Sequence, residues 1–538
     1  MRRRLIAFLL ILTLVLGCAS MTGCGKEGAD SSDVVVLRIS NWEEYIDLGE
    51  WDEEEDLIDL EDGTEILGVN AMYEDFEEWY YDTYGIEVRI EYSTFGTNEE
   101  LYNQMTIGDV YDLACPSEYM IMKMMREDML VPYSENFRDV EDENNYYERG
   151  LSPYIRSVYD TLNIDGQTLS EYASGYMWGT YGIVYNPELV DEEDASSWNI
   201  LLSDKYNKQI TIKDSVRECL FSALAMVYYD DITDEEFVSS DDYQERLSDY
   251  LNRTDKESVD AVEEMLSRVK DNVYSFETDA GKADMVTGKV LANAQWSGDA
   301  VYTMDQADED GIELCYAAPD EGTNLWFDGW VMLKKGISQD LRKQHAAEAF
   351  VNYVSMPENA IRNMYYIGYT SVISGGDSNL IFQYIDWCYG AEEEDEEEAE
   401  ESEEDTEDVA DDAEDAAEAS DDAADSDVDD SDSVDAEDAG DAGDDADSVD
   451  AEEAEDEEEE LVEYKIGYFF DMDDPDADDE YCIITTIDQT KRQLYAQYPP
   501  KAVVDRSVVM RCFDNEGNDR VNRMWTNVRC FDLMSLFR

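Results

Sequence analysis

Residues 86–128, IEVRIEYSTFGTNEELYNQMTIGDVYDLACPSEYMIMKMMRED, alternate between strand and helix patterns. The stretch opens with the β-branched and aromatic segment IEVRIEYSTF (86–95). TNEELYNQM (97–105) then predicts a helix whose capping residue is Thr97 or Asn98. A second strand and helix follow within YDLACPSEYMIMKMMRED (111–128). This alternation predicts an α/β fold with largely parallel strands.

The same alternation of predicted strands and helices continues on both sides of this stretch. VVVLRIS (34–40) predicts a buried strand before it. Further strands are predicted after it at YMWGTYGIVYN (176–186), KQITIKD (208–214) and KVLANAQW (289–296). Helices are predicted at 215–230, at 233–272 and at 341–366, the last broken near Pro357.

The composition of the 538-residue chain allows a large core, because 43% of its residues are hydrophobic and 12% are aromatic. The formal net charge is −98, and residues 391–460 alone hold 42 Asp and Glu residues with no Lys or Arg. The remaining residues still carry a net charge of about −56. This charge argues against nucleic-acid binding and makes cations the natural partners. We predict that the run at 391–460 is a disordered insertion without an apolar face for packing.

The first residues, MRRRLIAFLLILTLVLGCASMTGC, have the pattern of an export signal: three arginines, an apolar run and then small residues. The stretches VLGC and MTGC both resemble the lipobox of bacterial lipoproteins. We favour Cys24 as the lipidated residue and keep Cys18 as the alternative. A lipid on either would tether the protein outside the cytoplasm.

Seven further cysteines form no CxxC or Cys/His spacing, so the sequence predicts no metal site and no cofactor. Most are expected to be buried thiols. The four late ones could include a disulfide pair, and these are Cys388, Cys482, Cys512 and Cys530.

Several predicted strands end in an aromatic residue beside a carboxylate or hydroxyl. In the strand NLWFDGW (324–330), alternation places Trp326, Asp328 and Trp330 on one face. A partly buried acid between two indoles needs a cationic partner. Ligands of open α/β sheets lie at the carboxyl ends of strands, so these features predict one cleft that binds an organic cation.

The chain resembles the spermidine/putrescine-binding proteins of bacterial polyamine ABC importers from about Val34 to Gly375, and weakly after the acidic run. The landmarks, in register, are SNWEEY, YSTFGTNEELY, YDLACPSEYM, WGTYGIVYN, SSWNILLSDKYNKQI, DSVREC, QWSGDAVY, WFDGWVMLKK and IGYTS. The resemblance implies a solute-binding protein without enzymatic activity, which delivers a polyamine to a membrane permease and acts as a monomer.

The resemblance also implies a two-lobed periplasmic-binding-protein-like fold of type II, with the ligand cleft between the lobes. The expected parts are a signal peptide (1–23), a tether (24–33), lobe 1 (34–175 and 326–378), lobe 2 (176–325, 379–390 and 461–538) and the polyacidic insertion (391–460).

Transferred residue by residue, the resemblance places aromatic rings, hydroxyls and carboxylates around the polyamine. These residues are Trp42, Glu44, Tyr45, Ser117, Tyr119, Glu218, Thr278, Trp296, Trp326, Asp328 and Tyr369. Further candidates are Asp214, Ser215 and Asp514, at positions where this chain departs from the family pattern.

Other interpretations of these residues remain open. Asp214 or Ser215 can cap the following helix, with Glu218 closing a capping box, and the tryptophans can be ordinary core residues. Glu44 can be a solvated surface charge. At the level of the whole protein, the acidic run could make it an interaction protein for cations or basic partners. A hydrolase is disfavoured, because the chain has no nucleophile elbow, metal motif or His-centred triad.

Overall fold

The computed structural model describes residues 34–391 and 460–535. The predicted signal peptide, both candidate lipidation cysteines and nearly all of the acidic run lie outside these residues. The described part forms one compact unit.

Most strands form a single sheet that runs through two lobes. The strands are β1 (Val35–Trp42), β2 (Ile58–Asp59), β3 (Glu65–Ile66), β4 (Val88–Phe95), β5 (Leu113–Ala114), β6 (Leu130–Val131), β7 (Asn163–Ile164), β8 (Gln167–Thr168), β9 (Ala173–Tyr185), β10 (Ile210–Lys213), β11 (Ser275–Glu277), β12 (Ala292–Trp296), β13 (Cys315–Ala317), β14 (Thr323–Leu333), β15 (Thr370–Ser371), β16 (Leu461–Lys465), β17 (Cys482–Thr486) and β18 (Ser507–Val508).

Helices cover this sheet. They are α1 (Met72–Tyr84), α2 (Asn98–Ile107), α3 (Glu118–Arg126), α4 (Tyr146–Gly150), α5 (Pro153–Thr161), α6 (Glu192–Ala195), α7 (Val216–Val227), α8 (Tyr229–Ile232), α9 (Glu235–Val238), α10 (Tyr243–Leu251), α11 (Lys256–Asn272), α12 (Ala280–Val286), α13 (Ser297–Glu309), α14 (Lys334–Ile337), α15 (Leu341–Val354), α16 (Pro357–Ile367), α17 (Leu380–Tyr389), α18 (Gly467–Phe470), α19 (Ala477–Glu480), α20 (Gln493–Gln497), α21 (Lys501–Val504) and α22 (Asn515–Ser535).

Most predicted elements are present with small shifts of their ends, but the stretch 233–272, predicted as helical, is divided into the three helices α9, α10 and α11. Thr97 is the N-cap of α2, and its side chain accepts a hydrogen bond from the backbone N–H of Glu100 (3.1 Å). Pro357 begins α16, where its fixed φ and missing N–H are tolerated. In lobe 1, β1 pairs in parallel with β4 and β5, and in lobe 2, β10 pairs in parallel with β11 and β12.

The expectation of parallel pairing fails for the two strands that connect the lobes. β9 and β14 are buried along their whole length and pair antiparallel with each other. The second half of β9 continues into lobe 2, where it pairs with β12 and β13. The chain passes between the lobes in opposite directions along these strands, so they cannot be parallel.

The hydrophobic side chains pack in two large clusters and one smaller one, and the predicted two-lobed α/β fold is confirmed. The lobe 1 cluster contains residues of 35–178 and 325–389, and the lobe 2 cluster contains residues of 181–317. The exact lobe boundaries stay a prediction. The packing supports a revised proposal in which 380–389 and 464–504 belong with lobe 1 and 508–528 with lobe 2.

The described residues on either side of the acidic run contact the same strand, β17. The carbonyl of Tyr389, just before the run, accepts a hydrogen bond from Thr485 Oγ1 (2.6 Å). Leu461, just after it, pairs with Thr486 in β16–β17. The chain therefore leaves and re-enters the folded part at one place.

None of the helices among the described residues has the length and apolar character to span a membrane. Cys115, Cys219 and Cys315 are buried there, as expected for small apolar side chains, and Cys482, Cys512 and Cys530 are also free thiols.

Candidate functional site

Asp328 lies in the middle of β14, where the chain passes from lobe 2 to lobe 1. The partner strand β9 carries one extra residue here: Asp328 is opposite Met177, Gly329 is opposite Gly175, and Tyr176 between them has no partner. The bulge lets the Tyr176 hydroxyl donate to the Tyr45 carbonyl (2.9 Å).

The carboxylate of Asp328 accepts one hydrogen bond on each oxygen. Tyr45 donates its phenol to Oδ2 (2.9 Å), and Ser117 donates its hydroxyl to Oδ1 (2.7 Å). Asn98 positions Ser117, because its Oδ1 accepts the Ser117 backbone N–H (3.0 Å) and its Nδ2 donates to the Ser117 hydroxyl (3.0 Å). The segment after β1, the first residue of α2 and the residue before α3 thus converge on one acid.

Asp328 is buried, and burial raises its pKa. The residue is only 7% exposed, and the described residues give it no ion pair. Burial raises its pKa to about 7, although the bonds from Ser117 and Tyr45 oppose this. Glu118, fully buried nearby, accepts the backbone N–H of Phe327 (3.1 Å), and burial raises its pKa to about 8. Asp328 is therefore a desolvated acid without a cation.

Aromatic rings enclose this acid. The ring of Tyr45 packs edge-on against Tyr176 (5.5 Å between centroids) and Tyr369 (5.0 Å), and Tyr369 in turn packs against Trp326 (5.7 Å). Trp326 donates its indole N–H to the Thr180 carbonyl (3.2 Å). Trp330 lies on the same side but is fully buried in the lobe 1 core against Tyr176 and Phe350, so it is not part of the enclosure.

Two glycines allow these rings to approach the backbone. A Cβ at Gly179 would lie 2.6 Å from the indole of Trp326. A Cβ at Gly298 would clash with the ring of Tyr369. Both positions require glycine for close packing.

Lobe 2 contributes a second buried acid, Glu218, in the first turn of α7. It accepts hydrogen bonds from the Ser215 hydroxyl and, at 3.3 Å, from the Trp296 indole N–H. Burial raises its pKa. Ser215 occupies the N-cap position of α7, but its hydroxyl donates to Glu218 rather than capping the backbone. Helix capping therefore does not account for the orientation of the Ser215 side chain.

A third acid, Asp299, was not among the predicted site residues, although the stretch QWSGDAVY (295–302) contains it. Its Oδ1 accepts the Tyr369 phenol (2.9 Å), and its Oδ2 accepts Lys213 Nζ (3.0 Å). Lys282 Nζ lies 3.6 Å from Oδ1. Burial acts to raise the pKa of Asp299, but the two ammonium groups outweigh it and hold this pKa below its usual value.

One more contact joins the lobes. The guanidinium of Arg217, in α7, lies over the ring of Tyr119 from α3 (4.4 Å) and over Phe513 (3.9 Å). The Tyr119 phenol also accepts from Asn98 Nδ2 (3.0 Å). Arg217 was not predicted, because an arginine at a helix start reads as a surface charge.

The other predicted residues lie around this centre. Trp42 is half-buried against Phe95 (4.8 Å), and its buried indole N–H has no partner among the described residues. Glu44 is exposed with φ +53°. Thr278 has an exposed side chain, and its carbonyl accepts Lys213 Nζ (2.9 Å).

Two of the further candidates face other partners. Asp214 forms an ion pair with Arg529 of α22 (2.6 Å). Asp514 accepts the backbone N–H of Gly517 (2.6 Å) at the start of the same helix. Within residues 34–391 and 460–535, no group of three or more His, Cys, Asp or Glu side chains is arranged to hold a metal ion.

Two lobes joined by crossing strands, with a buried cluster of acids and rings where they meet, define a binding protein for a small solute. Residues 71–377 match the family of bacterial extracellular solute-binding proteins, and the chain belongs to this family. As a member of this family, the protein binds a solute and is not an enzyme.

The curated relatives cover most of the folded part of the chain. The spermidine/putrescine-binding periplasmic protein of Salmonella typhimurium is 24% identical over 357 residues, which is 65% of this chain and 81% of that protein. A putrescine-binding periplasmic protein of Pseudomonas aeruginosa is 23% identical over 371 residues, or 66% and 82% of the two chains. The solved structure of a putative spermidine/putrescine ABC transporter from Listeria monocytogenes is 25% identical, with a TM-score of 0.46 over 63% of this chain and 84% of that one.

Proposed function

We propose that the protein is the extracytoplasmic substrate-binding component of an ABC importer and that it binds spermidine, putrescine or both. The observation that carries this proposal is the state of Asp328, a buried carboxylate held by two neutral donors with no ion pair among the described residues. The named functions of the curated relatives support the same ligand class.

The chemistry of a polyamine suits this cluster. Each ammonium group that leaves water needs an ion pair and hydrogen bonds, or its desolvation cost dominates. Asp328 and Glu218 are the proposed ion-pair partners. The rings of Tyr45, Tyr369, Trp326 and Trp296 would cover the methylenes and attract the cations, at about 0.5–2 kcal/mol for each good contact.

The remaining predicted residues are proposed as supporting contacts. Ser117, Tyr119 and Ser215 hold the acids and rings in place, whereas Trp42, Glu44 and Thr278 are proposed to line the entrance. Micromolar affinity corresponds to about −8 kcal/mol, which several such contacts can supply after ordering costs.

Closure of the two lobes would complete the site. Tyr119 and Arg217 meet across the lobes, as do Tyr369 and Asp299. In this proposal the ligand stabilises the closed arrangement, which the permease then recognises. We further propose that Cys24, or alternatively Cys18, carries a lipid that keeps the protein near its permease.

The alternative, an interaction protein that acts through its acidic run, is less favoured. The family relationship covers residues 71–377, which belong to the two lobes and not to the run.

Titration of the protein lacking residues 1–33 with putrescine and spermidine tests the proposal. We expect heat of binding at micromolar concentrations and a rise in Tm with either amine, but none with glucose or glycine. The absence of a Tm shift with both amines at millimolar concentration would refute the proposal.

A further inference from the structure

The three acids of the site differ in what already neutralises them. Among the described residues, Asp328 and Glu218 accept hydrogen bonds only from neutral hydroxyl and indole groups. Asp299 instead accepts the ammonium group of Lys213. Asp328 and Glu218 therefore have no ammonium partner among these residues, although the charge of Arg217 lies near Glu218, whereas Asp299 already has one.

The ammonium of Lys213 lies where a ligand ammonium would be expected. Lys213 is the last residue of β10, and its side chain is only 1% exposed. Its Nζ donates to Asp299 Oδ2 (3.0 Å) and to the Thr278 carbonyl (2.9 Å), and it lies 4.7 Å from the ring centroid of Trp296. A carboxylate, a carbonyl and an indole face are the partners that a bound alkylammonium needs.

The other acids around this position already accept hydrogen bonds, pair with a lysine or face solvent. Glu277, opposite Lys213 in β11, is buried and accepts hydrogen bonds from Asn293 Nδ2 (3.0 Å) and from the backbone N–H of Gly281 (2.7 Å). Lys282 gives Asp299 a second cationic neighbour, at 3.6 Å, and itself pairs with Asp279 (2.8 Å). Glu118 accepts a backbone N–H behind β14, and burial raises its pKa to about 8, so it is mostly neutral at pH 7. Glu44 and Glu99 are exposed to solvent.

We propose that Lys213 permanently occupies one ammonium position of the site with the protein's own cation, so that the site takes a linear diamine and discriminates against a triamine. The inference rests on the proposed polyamine function. One ammonium of the diamine pairs with Asp328 in lobe 1, and the other pairs with Glu218 in lobe 2. Lys213 is thus a specificity-determining residue.

The physical reason is charge balance in a desolvated site. A third ligand ammonium would find only solvent-exposed acids such as Glu44, and inside the site it would approach the fixed charge of Lys213. Like charges in such surroundings repel strongly, because screening by water is reduced. A diamine satisfies both free acids without this repulsion.

Calorimetric titration of putrescine and spermidine into three proteins tests the inference. The wild type should bind putrescine at least about tenfold more tightly than spermidine, since one unpaired buried charge commonly costs that much. Lys213→Met should shift the affinity ratio toward spermidine by about tenfold. Without the lysine, the third ammonium of spermidine can pair with Asp299. Lys256→Met, at a lysine with a 79% exposed side chain, serves as the control and should leave the ratio unchanged.

The outcomes separate the two proposals. If the wild type binds spermidine more tightly than putrescine, or if Lys213→Met leaves the ratio unchanged, the role of Lys213 is overturned while polyamine binding stands. If the wild type binds neither amine, the proposed function itself fails. If Lys213→Met does not fold, Lys213→Gln, which keeps a hydrogen-bond donor for the Thr278 carbonyl, takes its place. The preference of the wild type for putrescine over spermidine tests the role of Lys213 without any variant.

Discussion

The phenol of Tyr45 donates a 2.9 Å hydrogen bond to Oδ2 of Asp328, and 283 residues separate the two in sequence. Tyr45 follows β1, the first strand of lobe 1, whereas Asp328 lies on the strand that returns to this lobe. Burial, followed by the charge of Asp328, raises the pKa of Tyr45 well above its usual value, so the phenol stays a neutral donor. The bond positions the acid but leaves its negative charge for a ligand.

Asp328→Asn should reduce polyamine affinity by about 3 kcal/mol or more, because a desolvated ammonium would lose its ion-pair partner. The same change should raise the Tm of the ligand-free protein, since it removes an uncompensated buried charge. Calorimetry and thermal unfolding measure the two effects. Asp377→Asn is the matched control, because the Asp377 side chain is 99% exposed. Unchanged affinity in Asp328→Asn would exclude this acid from the site.

Polyamine affinity should increase as pH rises toward neutrality. The pKa of Asp328 is raised to about 7 by burial, so an incoming ammonium must displace a proton at lower pH. The raised pKa of Glu218 acts in the same direction. Below pH 7 the wild type should release protons on binding, and Asp328→Asn should release fewer. Equal proton release in the two proteins would contradict the assignment.

The same shift predicts the pH dependence of stability without ligand. A pKa that is raised in the folded state adds stability below the unfolded value, and this stability is lost as pH rises through about 7. The contribution of Asp299 to stability changes with pH in the opposite direction. Its pKa is lowered in the folded state, so it stabilises the fold at neutral pH and loses this effect in acid. Denaturant titrations of wild type and Asp328→Asn should therefore diverge as pH rises from about 4 to about 7, with the wild type becoming the less stable protein, and the difference should level off above pH 7.

Much of the fold could be predicted from local patterns, because a strand such as β1 or a helix such as α7 carries its burial pattern in its own residues. The antiparallel crossing of β9 and β14 could not, because nothing local fixes the direction in which two distant strands pair. Asp328 was indicated by strand alternation in residues 324–330, whereas Tyr45 came from a family resemblance rather than from spacing. Lys213 was missed because a lysine at a strand end usually points to solvent, and only the fold shows it buried against Asp299.

Gly298→Ala should weaken polyamine binding, because a Cβ there would displace the ring of Tyr369 from the site. A shift of that ring also disturbs its contacts with Tyr45 and Trp326. We expect a loss of about 1–3 kcal/mol in binding, typical of overpacking. Gly96→Ala is the control, since its Cβ would meet only the Glu100 side chain, at 3.4 Å. Equal affinities in the two variants would show that the Tyr369 ring does not contact the ligand.

Arg217→Ala should speed ligand release more than it slows binding. Arg217 holds Tyr119 from the opposite lobe at 4.4 Å, a contact that requires the lobes to be closed. Loss of such a cation–π contact is worth about 0.5–2 kcal/mol, or a several-fold faster release. Arg253→Ala is the matched control, because Arg253 stacks on Tyr228 and Tyr250 within lobe 2. Stopped-flow tryptophan fluorescence measures the rates of binding and release. Equal release rates in the two variants would show that Arg217 does not stabilise the closed arrangement of the lobes.

Deletion of residues 392–459, with a short Gly/Ser linker in their place, should leave both stability and polyamine affinity unchanged. The flanking residues are already held together, because Tyr389 bonds to Thr485 and Leu461 pairs with Thr486. A short closure between such neighbours adds little strain or entropy cost. Thermal unfolding and calorimetric titration of the deletion variant make the measurement, with a neutral run of equal length as the control. If the deletion abolishes polyamine binding while the neutral replacement preserves it, the run is a structural spacer. If both abolish binding, its negative charge holds the ligand, and the alternative of an interaction protein acting through the run becomes the better account.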